Sequence, residues 1–287
     1  MPIPPRCQEE HKADRHPATA IRQVCSTASS VWQDFLDALE VRERAPKPFA
    51  IDPEQPSPFA FESSVIFICV DVEAYEFDQA KVTEIGIATL DTRDIAGLAP
   101  SAGASAWRAA VRSRHFRINE HLHLNNSVHV HGCADRFNFG ESEFVDLRDV
   151  PALVASCFRP PYSAGAANSV GATLELESEA EPRTLVLVGH DVEQDVQYLR
   201  RCGYDVRNLR HLHRRCMDTA ALCRAHEGVR DTWSLGRVLD RHDIDPWHLH
   251  NAGNDAALTL HALLAIAVDS AMKYKEPLKE WQQDEEY

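Results

Sequence analysis

The 287-residue sequence lacks the cysteine spacings, long apolar runs and leader patterns that mark several protein classes. No two of its eight cysteines are separated by two residues, which argues against a disulfide framework and against a structural zinc knuckle. No apolar run is long enough to predict a membrane span, and residues 1–17 lack the apolar centre of a secretory signal. These absences favour an intracellular protein in a reducing compartment, with no membrane partner.

Positive charge is also scarce, since 30 Lys and Arg residues stand against 44 Asp and Glu residues, a net charge of −14. Such a surplus of acid argues against nucleic-acid binding. The bases are nevertheless concentrated in residues 107–117 and 199–215, and most of them are Arg, whose planar fork matches phosphate oxygens. An ordinary solvated surface is the alternative interpretation of both basic stretches.

Composition divides the chain into an extension, a main domain and a tail. Residues 1–63 are rich in Pro and charge and predict a partly disordered N-terminal extension, and residues 64–272 predict the main domain. Within the domain, residues 159–183 are rich in Pro, Gly, Ala, Ser and Glu and predict a flexible insertion, while residues 273–287 form an acidic tail. One helix is predicted in the extension, packed on the domain or bound to a partner, from the apolar stripe of Trp32, Phe35, Leu36 and Leu39.

The main domain alternates between strand and helix patterns. Strands are predicted at 65–75, 81–92, 113–124, 184–192 and 209–219. Helices are predicted at 141–158, 193–203, 219–226, 232–244 and 254–273. Three consecutive strands followed by a helix indicate a sheet with an antiparallel part and helical cover, an α+β or mixed α/β layout. The last helix is apolar almost all round, which predicts that it is buried.

The first predicted strand ends in two carboxylates. Asp71 and Glu73 follow the apolar run 65–70, and residues two apart in a strand point to the same face. Two neighbouring anions repel each other unless a cation lies between them, and Mg²⁺ and Mn²⁺ prefer such oxygen ligands. The alternative is a solvated turn in which both acids point into water.

Two further acids lie at the beginnings of predicted helices. Asp195 follows the strand ending in "GHD", and Asp255 opens the last helix five residues after His250. An acid in the first turn of a helix commonly serves as a cap, so each position alone has a structural explanation. His190 is interpreted as a structural residue at the strand end, and Asp191 as a minor alternative acid.

Taken in order, these segments resemble the DEDDh branch of the DEDD superfamily of 3′→5′ exonucleases. "DVE" is similar to the first motif of that family, "GHDVEQD" to the second and "HNAGNDA" to the third. The sister DEDDy branch has Tyr four residues before the last Asp, where this chain has Asn251. The resemblance covers about residues 64–270. It implies an α/β, ribonuclease H-like fold with a mixed five-stranded sheet flanked by helices, preceded here by the N-terminal helical extension.

The resemblance also implies a chemistry. Four carboxylates, Asp71, Glu73, Asp195 and Asp255, would hold two Mg²⁺ or Mn²⁺ ions about 3.5–4 Å apart around the scissile phosphate. His250 would be the general base, because imidazole titrates near neutral pH. The implied activity is hydrolysis of single-stranded RNA, or less readily DNA, from a free 3′ end with release of nucleoside 5′-monophosphates.

A narrower resemblance is carried by "VDVEAYE", "VTEIGIATLDT", "RHFRINEH" and "FNFGESEF". These stretches are similar to a fungal subgroup that includes the Argonaute-interacting exonuclease of RNA silencing and proteins tied to mRNA-export helicases. The subgroup implies a role in RNA silencing or RNA processing, an Argonaute-like or helicase partner, and a cytoplasmic or nuclear location.

Candidate substrate contacts are less well determined by the sequence. The first motif of the family often continues with Thr and Gly, whereas Ala74 and Tyr75 follow here. Tyr75 could stack on a base, although packing is the preferred interpretation, and Trp247 is likewise expected to pack in the core rather than to stack. Arg200 and Arg201, in the second basic stretch, are further candidates for substrate binding.

Three alternatives remain at this point. A catalytically weak ribonuclease H-like module that binds RNA or protein would suit the acidic composition. A DDE-type transposase also places acids on this fold, but the paired DxE and the His five residues before Asp255 do not suit it. His121, His123, His129, His131 and Cys133 could form a zinc site, but an ordinary polar surface is the preferred interpretation of this stretch.

Overall fold

The computed structural model describes residues 52–56, 65–162, 183–213 and 216–273. The predicted N-terminal helix, most of the predicted insertion and the acidic tail lie outside these ranges, so the domain boundaries remain a prediction.

Six strands and six α-helices make up the regular structure of the described residues. The strands are β1 Val65–Tyr75, β2 Asp78–Asp91, β3 Arg112–Ile118, β4 Ser142–Val145, β5 Thr184–Gly189 and β6 Met217–Asp218. The helices are α1 Ser105–Arg108, α2 Val150–Cys157, α3 Val192–Arg201, α4 Thr219–Glu227, α5 Leu235–Arg241 and α6 Ala252–Lys273.

The strands form one mixed sheet in the order β4-β3-β2-β1-β5-β6. β1, β2 and β3 are an antiparallel meander, whereas β5 runs parallel to β1, β6 to β5 and β4 to β3. Helices pack on both faces. The predicted α/β, ribonuclease H-like architecture is therefore confirmed, with six strands in the sheet.

The additional strand comes from a segment that was predicted to be helical throughout. Residues 141–158 begin with β4 and become helical only at α2. β4 is held at the sheet edge by Arg114 of β3, whose guanidinium makes two 2.7 Å hydrogen bonds to Glu143. Phe144, which a helix over 141–158 would place on the same side as Leu147, Val150 and Val154, is 58% exposed. Tertiary pairing thus overrides the helical spacing of the apolar residues.

β3 is shorter than predicted. It ends at Ile118, and the following residues as far as Gly140 form a loop of short turns. The expected alternation of His and Leu does not continue the strand, since Leu122 is 39% exposed and has no core to face. The two HxH pairs therefore lie on this loop and not on a hairpin.

The two faces of β1 contact different helices. Val65, Phe67 and Cys69 face the core built around α6. Ile66 and Ile68 face the opposite core, with residues of α2 and α3. Each face follows the two-residue period of a strand, which also decides the direction in which its terminal acids point.

Helix α6 is buried on all sides. Its residues pack against the sheet on one side and, through Leu258, Ala262 and Ile266, against α4 and α5 on the other. By length and composition alone, Ala252–Met272 could cross a membrane, so the statement that no apolar run is long enough was wrong. Because 83% of the apolar window is buried inside the domain, the composition reflects a core position.

Candidate metal centre

Asp71 and Glu73 lie at the carboxyl end of β1, on the face covered by α6. They continue the row of Val65, Phe67 and Cys69 and are both half-buried. Burial raises the pKa of Asp71 well above its ordinary value, and the charges of Asp255, Asp195 and Glu73 raise it further. Among the described residues, the charges named as acting on Asp71 are all those of other carboxylates, so repelling acids gather at the end of this strand.

Asp255 reaches the same place from the first turn of α6. Its side chain is 6% exposed, and burial raises its pKa to about 7. One carboxylate oxygen, Oδ2, accepts a 2.8 Å hydrogen bond from the backbone N–H of His250. The other oxygen, Oδ1, is buried and has no hydrogen-bond partner among the residues that the structure describes. An unpaired buried carboxylate oxygen is costly and is explained by a ligand that this site is built to receive.

His250 adopts a left-handed backbone conformation, with φ of 64°. A non-glycine residue in this region costs about 1–3 kcal/mol and persists only where its surroundings hold it. Here its N–H donates to Asp255, and its carbonyl accepts a 3.0 Å hydrogen bond from Cys133. The imidazole remains half exposed, with Nδ1 3.8 Å from Glu73 Oε1. The neighbouring Glu73 carboxylate raises the pKa of the imidazole.

Asp195 approaches from the other side of β1. It lies in the first turn of α3, and its Oδ1 accepts a 3.0 Å hydrogen bond from the backbone N–H of Val72. Burial raises its pKa to about 8. The turn that leads into α3 needs Gly189, because a Cβ there would lie 2.5 Å from the Cβ of Val192. The "GH" of the sequence is thus a tight strand-to-helix turn that aims Asp195 at β1.

A close approach of backbone to backbone fixes the beginning of α6. A Cβ on Gly86 of β2 would lie 1.8 Å from the carbonyl oxygen of Ala252, so only glycine fits there. A Cβ on Gly253 would lie 2.6 Å from the Cβ of His115. Because the helix rests directly on the sheet, Asp255 is delivered beside the carboxylates of β1.

The donor set fits a hard divalent cation. Ligand atoms of Glu73, His250 and Asp255 lie within 4.8 Å of one another. Asp71 and Asp195 are not members of this group, but the charges of Asp255, Asp195 and Glu73 all act on Asp71. The unpaired Oδ1 of Asp255 and the raised pKa of three carboxyl groups indicate uncompensated charge that a dication would neutralise. Oxygen-rich sites of this kind suit Mg²⁺ and Mn²⁺.

Comparison with known proteins agrees with this arrangement. Residues 66–266, more than half of the chain, match the DEDDh model described as "DNA polymerase III subunit epsilon-like, C-terminal domain". The chain belongs to the DEDDh family. This membership confirms the family that the three sequence motifs indicated.

Relatives of this DEDDh chain occur in two yeasts. It is 29% identical over 223 residues to the uncharacterised protein YDR514C and 26% identical over 288 residues to "Good for full DBP5 activity protein 2", both of Saccharomyces cerevisiae. These alignments cover 71% and 92% of this chain but only 41% and 47% of the relatives. It is 28% identical over 204 residues to the uncharacterised nucleolar protein C2C4.08 of Schizosaccharomyces pombe, covering 69% and 67%. The chain thus spans less than half the length of the two S. cerevisiae relatives.

Of the predicted substrate contacts, Tyr75 lies two residues after Glu73 on β1 of the DEDDh domain, whereas Arg201 is the last residue of α3, the helix whose first turn carries Asp195. Tyr75 follows the acidic pair on β1 and makes an edge contact with Phe77, at 5.4 Å between ring centroids. Arg201 lies on α3 over the ring of Tyr198 and donates to the carbonyl of Gln79. Arg200 is turned away, towards Asp205 at 3.9 Å.

Trp247 does not pack in the core, and that expectation was wrong. Its side chain is 66% exposed in the turn that precedes His250. The backbone accounts for this position, since the Trp247 carbonyl accepts from Asn138 while His248, at a φ of 55°, reverses the chain direction. An exposed indole beside the candidate site is available for contact with a substrate.

A groove of about 370 Å³ runs along α3 and was not predicted. Arg201 lines it together with Tyr198, Gln79, Asp191, Glu193, Gln194 and Gln197. The lining residues on α3 recur every three or four positions and so form a polar stripe on one side of the helix. The same spacing is common on ordinary solvent-exposed helix surfaces, so the sequence alone does not indicate a groove. Amide groups dominate the lining, and acids outnumber the single Arg.

The His-rich loop between β3 and β4 is held by Glu76. The carboxylate of Glu76 accepts hydrogen bonds from the N–H groups of Ser127, Val128 and His129, which lower its pKa to about 2. The His121 ring contacts the carbonyl of Val82. Within the described residues, no three of the side chains proposed as zinc ligands bring donor atoms within 4.8 Å of one another.

His190 has a structural role, as expected. Its Nδ1 lies 2.9 Å from the hydroxyl of Thr219 and its Nε2 lies 2.9 Å from the carbonyl of Trp233. Burial lowers the pKa of the ring. Both nitrogens are engaged, so the imidazole ties β5 to α4 and to the segment before α5.

A second cluster of His and acidic residues lies at the far end of α6. Ligand atoms of His226, Glu227 and Asp269 are within 4.8 Å of one another. His226 Nε2 is 2.7 Å from Asp269 Oδ2, and Nδ1 is 2.7 Å from the hydroxyl of Ser270. Arg241 lies 3.0 Å from Glu227. This cluster supplies its own cation and hydrogen bonds, and it ties α4 and α5 to α6.

Proposed function

We propose that this protein is a metal-dependent 3′→5′ exonuclease that hydrolyses single-stranded RNA, and less readily DNA, from a free 3′ end. Family membership supports nuclease chemistry in general. The observation that carries the specific proposal is the convergence of buried, uncompensated carboxylates on a half-exposed imidazole, with Asp255 Oδ1 left without a partner.

The proposed roles follow from the positions of the side chains. Asp71, Glu73, Asp195 and Asp255 would hold two Mg²⁺ or Mn²⁺ ions. Once bound, such ions polarise a water molecule and stabilise the oxygen that leaves. His250, half exposed at the rim, accepts the proton of the attacking water. The water oxygen bonds to phosphorus, the bond from phosphorus to the 3′-oxygen breaks, and a nucleoside 5′-monophosphate departs.

The substrate proposal rests on the surroundings of the site. Arg201, Tyr75 and Trp247 offer one cation and two aromatic rings for an unpaired strand, which fits stacking and phosphate contact better than duplex binding. Preference for RNA over DNA is carried only by the subgroup resemblance. Arg200 is left out of the proposed contact surface because its nearest charged neighbour is Asp205.

The biological setting is proposed from relatives and resemblance together. One relative is named for full activity of DBP5 and another is called nucleolar. These names support a nuclear location and a helicase-linked role in RNA processing. An Argonaute-like partner and a role in RNA silencing rest on the subgroup resemblance alone.

A catalytically weak binding module is the second candidate. Asp191 and Glu193 line the groove beside the site, where Arg201 is the cation among the lining residues, and this charge balance disfavours tight binding of a polyanion. The two candidates make opposite statements about cleavage and can be separated directly.

The decisive experiment uses RNA and DNA oligonucleotides labelled at the 5′ or the 3′ end, incubated with Mg²⁺, Mn²⁺ or EDTA. An exonuclease gives a descending ladder from the 5′ label and labelled mononucleotide from the 3′ label. Asp71→Ala and His250→Ala should abolish both signals, while Asp269→Asn, a matched change of acid outside the site, should not. Cleavage that survives EDTA contradicts the proposal, and binding without cleavage supports the second candidate.

A further inference from the structure

The three stretches that carry the subgroup resemblance beyond the first motif meet in one buried chain of hydrogen bonds. Glu84 comes from "VTEIGIATLDT" on β2, His115 from "RHFRINEH" on β3, and Ser142 from "FNFGESEF" at the start of β4. His115 Nε2 is 2.8 Å from Glu84 Oε2, and His115 Nδ1 is 2.8 Å from the hydroxyl of Ser142. None of these residues is among the candidate metal ligands.

This chain ends on the first residues of α6. Glu84 Oε2 also lies 3.4 Å from the backbone nitrogen of Ala252, which donates to it. The His115 imidazole is fully buried, and its Cβ occupies the space that a side chain on Gly253 would need. The backbone carbonyl of Gly253 accepts a 2.7 Å hydrogen bond from Ser113, two residues earlier on the same face of β3.

The loop segment that precedes Ser142 forms hydrogen bonds to the other side of the turn that leads into α6. The backbone N–H of Asn138 donates to Asn254 at 2.8 Å, and Asn254 in turn donates to the carbonyls of Arg136 and His248. Asn251 donates to the carbonyl of Cys133. Residues 248–254 are therefore held from the sheet side and from the loop side at once.

The orientation of His250 and Asp255 depends on this grip. His250 occupies a backbone conformation that is unfavourable in isolation, and Asp255 directly follows the residues that are held in this way. A buried carboxylate accepts hydrogen bonds only, so Glu84 orders two donors, the His115 ring and the Ala252 amide, in one place. Removing it leaves both donors without their acceptor inside the domain.

We propose that Glu84 and His115 are positioning residues of the metal centre, with Ser142 fixing the orientation of the imidazole. They contact no substrate and no metal; they hold residues 250–255 so that His250 and Asp255 meet Asp71 and Glu73. The kinetic part of this inference rests on the proposed function, whereas the metal-binding part does not.

The test measures Mn²⁺ binding to the full chain by calorimetry or electron paramagnetic resonance, with melting temperature beside it. Glu84→Gln and His115→Leu should weaken Mn²⁺ binding about 10-fold to 100-fold, the usual effect of disturbing groups behind metal ligands. His115→Gln, which keeps an N–H donor for Glu84, should recover much of that affinity. Ser142→Ala should weaken Mn²⁺ binding by about threefold or less. Because this substitution is small, the variant should still fold.

The cluster at the far end of α6 supplies the matched control. His226→Leu and Asp269→Asn break a buried His–acid pair of nearly the same length, 2.7 Å against 2.8 Å. These variants should lower the melting temperature and leave Mn²⁺ affinity within twofold of the parent. Equal retention of Mn²⁺ affinity in the Glu84, His115 and control variants would overturn the inference, because a merely structural pair behaves in that way.

Kinetics separate this inference from the proposed function. If RNA is cleaved, Glu84→Gln should lower kcat more than 10-fold with KM for the oligonucleotide within twofold, since substrate contacts are untouched. If the parent does not cleave but binds Mn²⁺, and Glu84→Gln loses that binding, the function fails while the positioning role stands. A KM effect with kcat unchanged would contradict the positioning role.

Discussion

The two ends of α6 carry similar side chains in opposite electrostatic states. Each end brings together one His, one Glu and one Asp with ligand atoms within 4.8 Å. At the far end, His226 has no exposed side-chain surface and hydrogen bonds at both nitrogens, and Arg241 lies beside Glu227. At the near end, His250 is half exposed and Asp255 Oδ1 has no partner.

The difference shows that proximity of ligands does not by itself mark a metal centre. In the far cluster the guanidinium of Arg241 lies 3.0 Å from Glu227, and His226 is hydrogen-bonded at both nitrogens, so the cluster contributes to stability. The near cluster adds Asp71 and Asp195 to a site that is already acidic, and the pKa of each of these carboxyl groups is raised. Uncompensated charge at a half-open edge is the feature that points to a bound dication.

The sharpest way to break this comparison is to exchange one acid at each end for its amide. Asp71→Asn should lower the exonuclease rate by about 10²-fold to 10³-fold or more, as expected when one electrostatic contributor is removed. It should leave the melting temperature unchanged or raised, because a mutually repelling charge has been deleted. Asp269→Asn should do the reverse, and both quantities are obtained from oligonucleotide assays and thermal melts. An equal loss of rate in both variants would contradict the assignment.

Metal addition should stabilise the protein through the near end only. At a Mg²⁺ or Mn²⁺ concentration 100 times the dissociation constant, a single site adds about 2.7 kcal/mol to the free energy of unfolding. Urea titrations with and without metal would show this gain in the parent and in Asp269→Asn. Asp255→Asn should show little of it, and a full gain in that variant would place the ion elsewhere.

The far end should matter for stability more than for activity. His226→Leu removes the 2.7 Å contact between the imidazole and Asp269, and because the Asp269 side chain is 31% exposed, we expect a loss of about 1–3 kcal/mol in the free energy of unfolding. Urea denaturation measures the loss, and the cleavage rate at a temperature below the transition should stay within twofold. A large drop in rate without a drop in stability would mean that the two ends are coupled.

The middle of α6 predicts an effect that is confined to acidic conditions, a dependence of stability on pH. Burial, together with the charge of Arg108, lowers the pKa of His261 to about 4. The native ring is therefore neutral where the unfolded ring already binds a proton, so stability should fall as the pH drops from about 6.5 to about 4 and stay level above that range.

The slope from this one group is at most about 1.4 kcal/mol for each pH unit. His261→Gln should flatten it in urea titrations between pH 7 and pH 4.5, with His242→Gln as a comparison, because burial also lowers the pKa of His242 to about 4. An unchanged slope in both variants would show that other groups govern acid unfolding.

Much of the fold could be predicted because its patterns are local. Continuous apolar runs between polar turns predict β1, β2 and α6. The two-residue period of a strand then places Asp71 and Glu73 on one face. β4 could not be recognised, since its assignment depends on pairing with β3 through Arg114 and Glu143 and not on its own spacing.

The candidate site divides in the same way. The order of the motifs indicated which acids and which His to consider, but no sequence pattern reports that Asp255 Oδ1 is unpaired or that Trp247 is exposed. The sequence places Glu84 and His115 in two stretches that resemble the fungal subgroup, but it does not indicate that their side chains are in contact. Their contact joins neighbouring strands whose register is set by the sheet as a whole, so it could not be derived from either stretch alone.

The position of α6 in chain order has a consequence for biosynthesis. This helix covers the apolar rows of β1 and β2, yet it is translated after every strand of the sheet. A nascent chain that has not reached Ala252 therefore exposes the apolar face of the sheet to solvent. A chain that terminates before Ala252 is therefore expected to aggregate, and chaperones that bind exposed apolar surface would be needed until α6 has been synthesised.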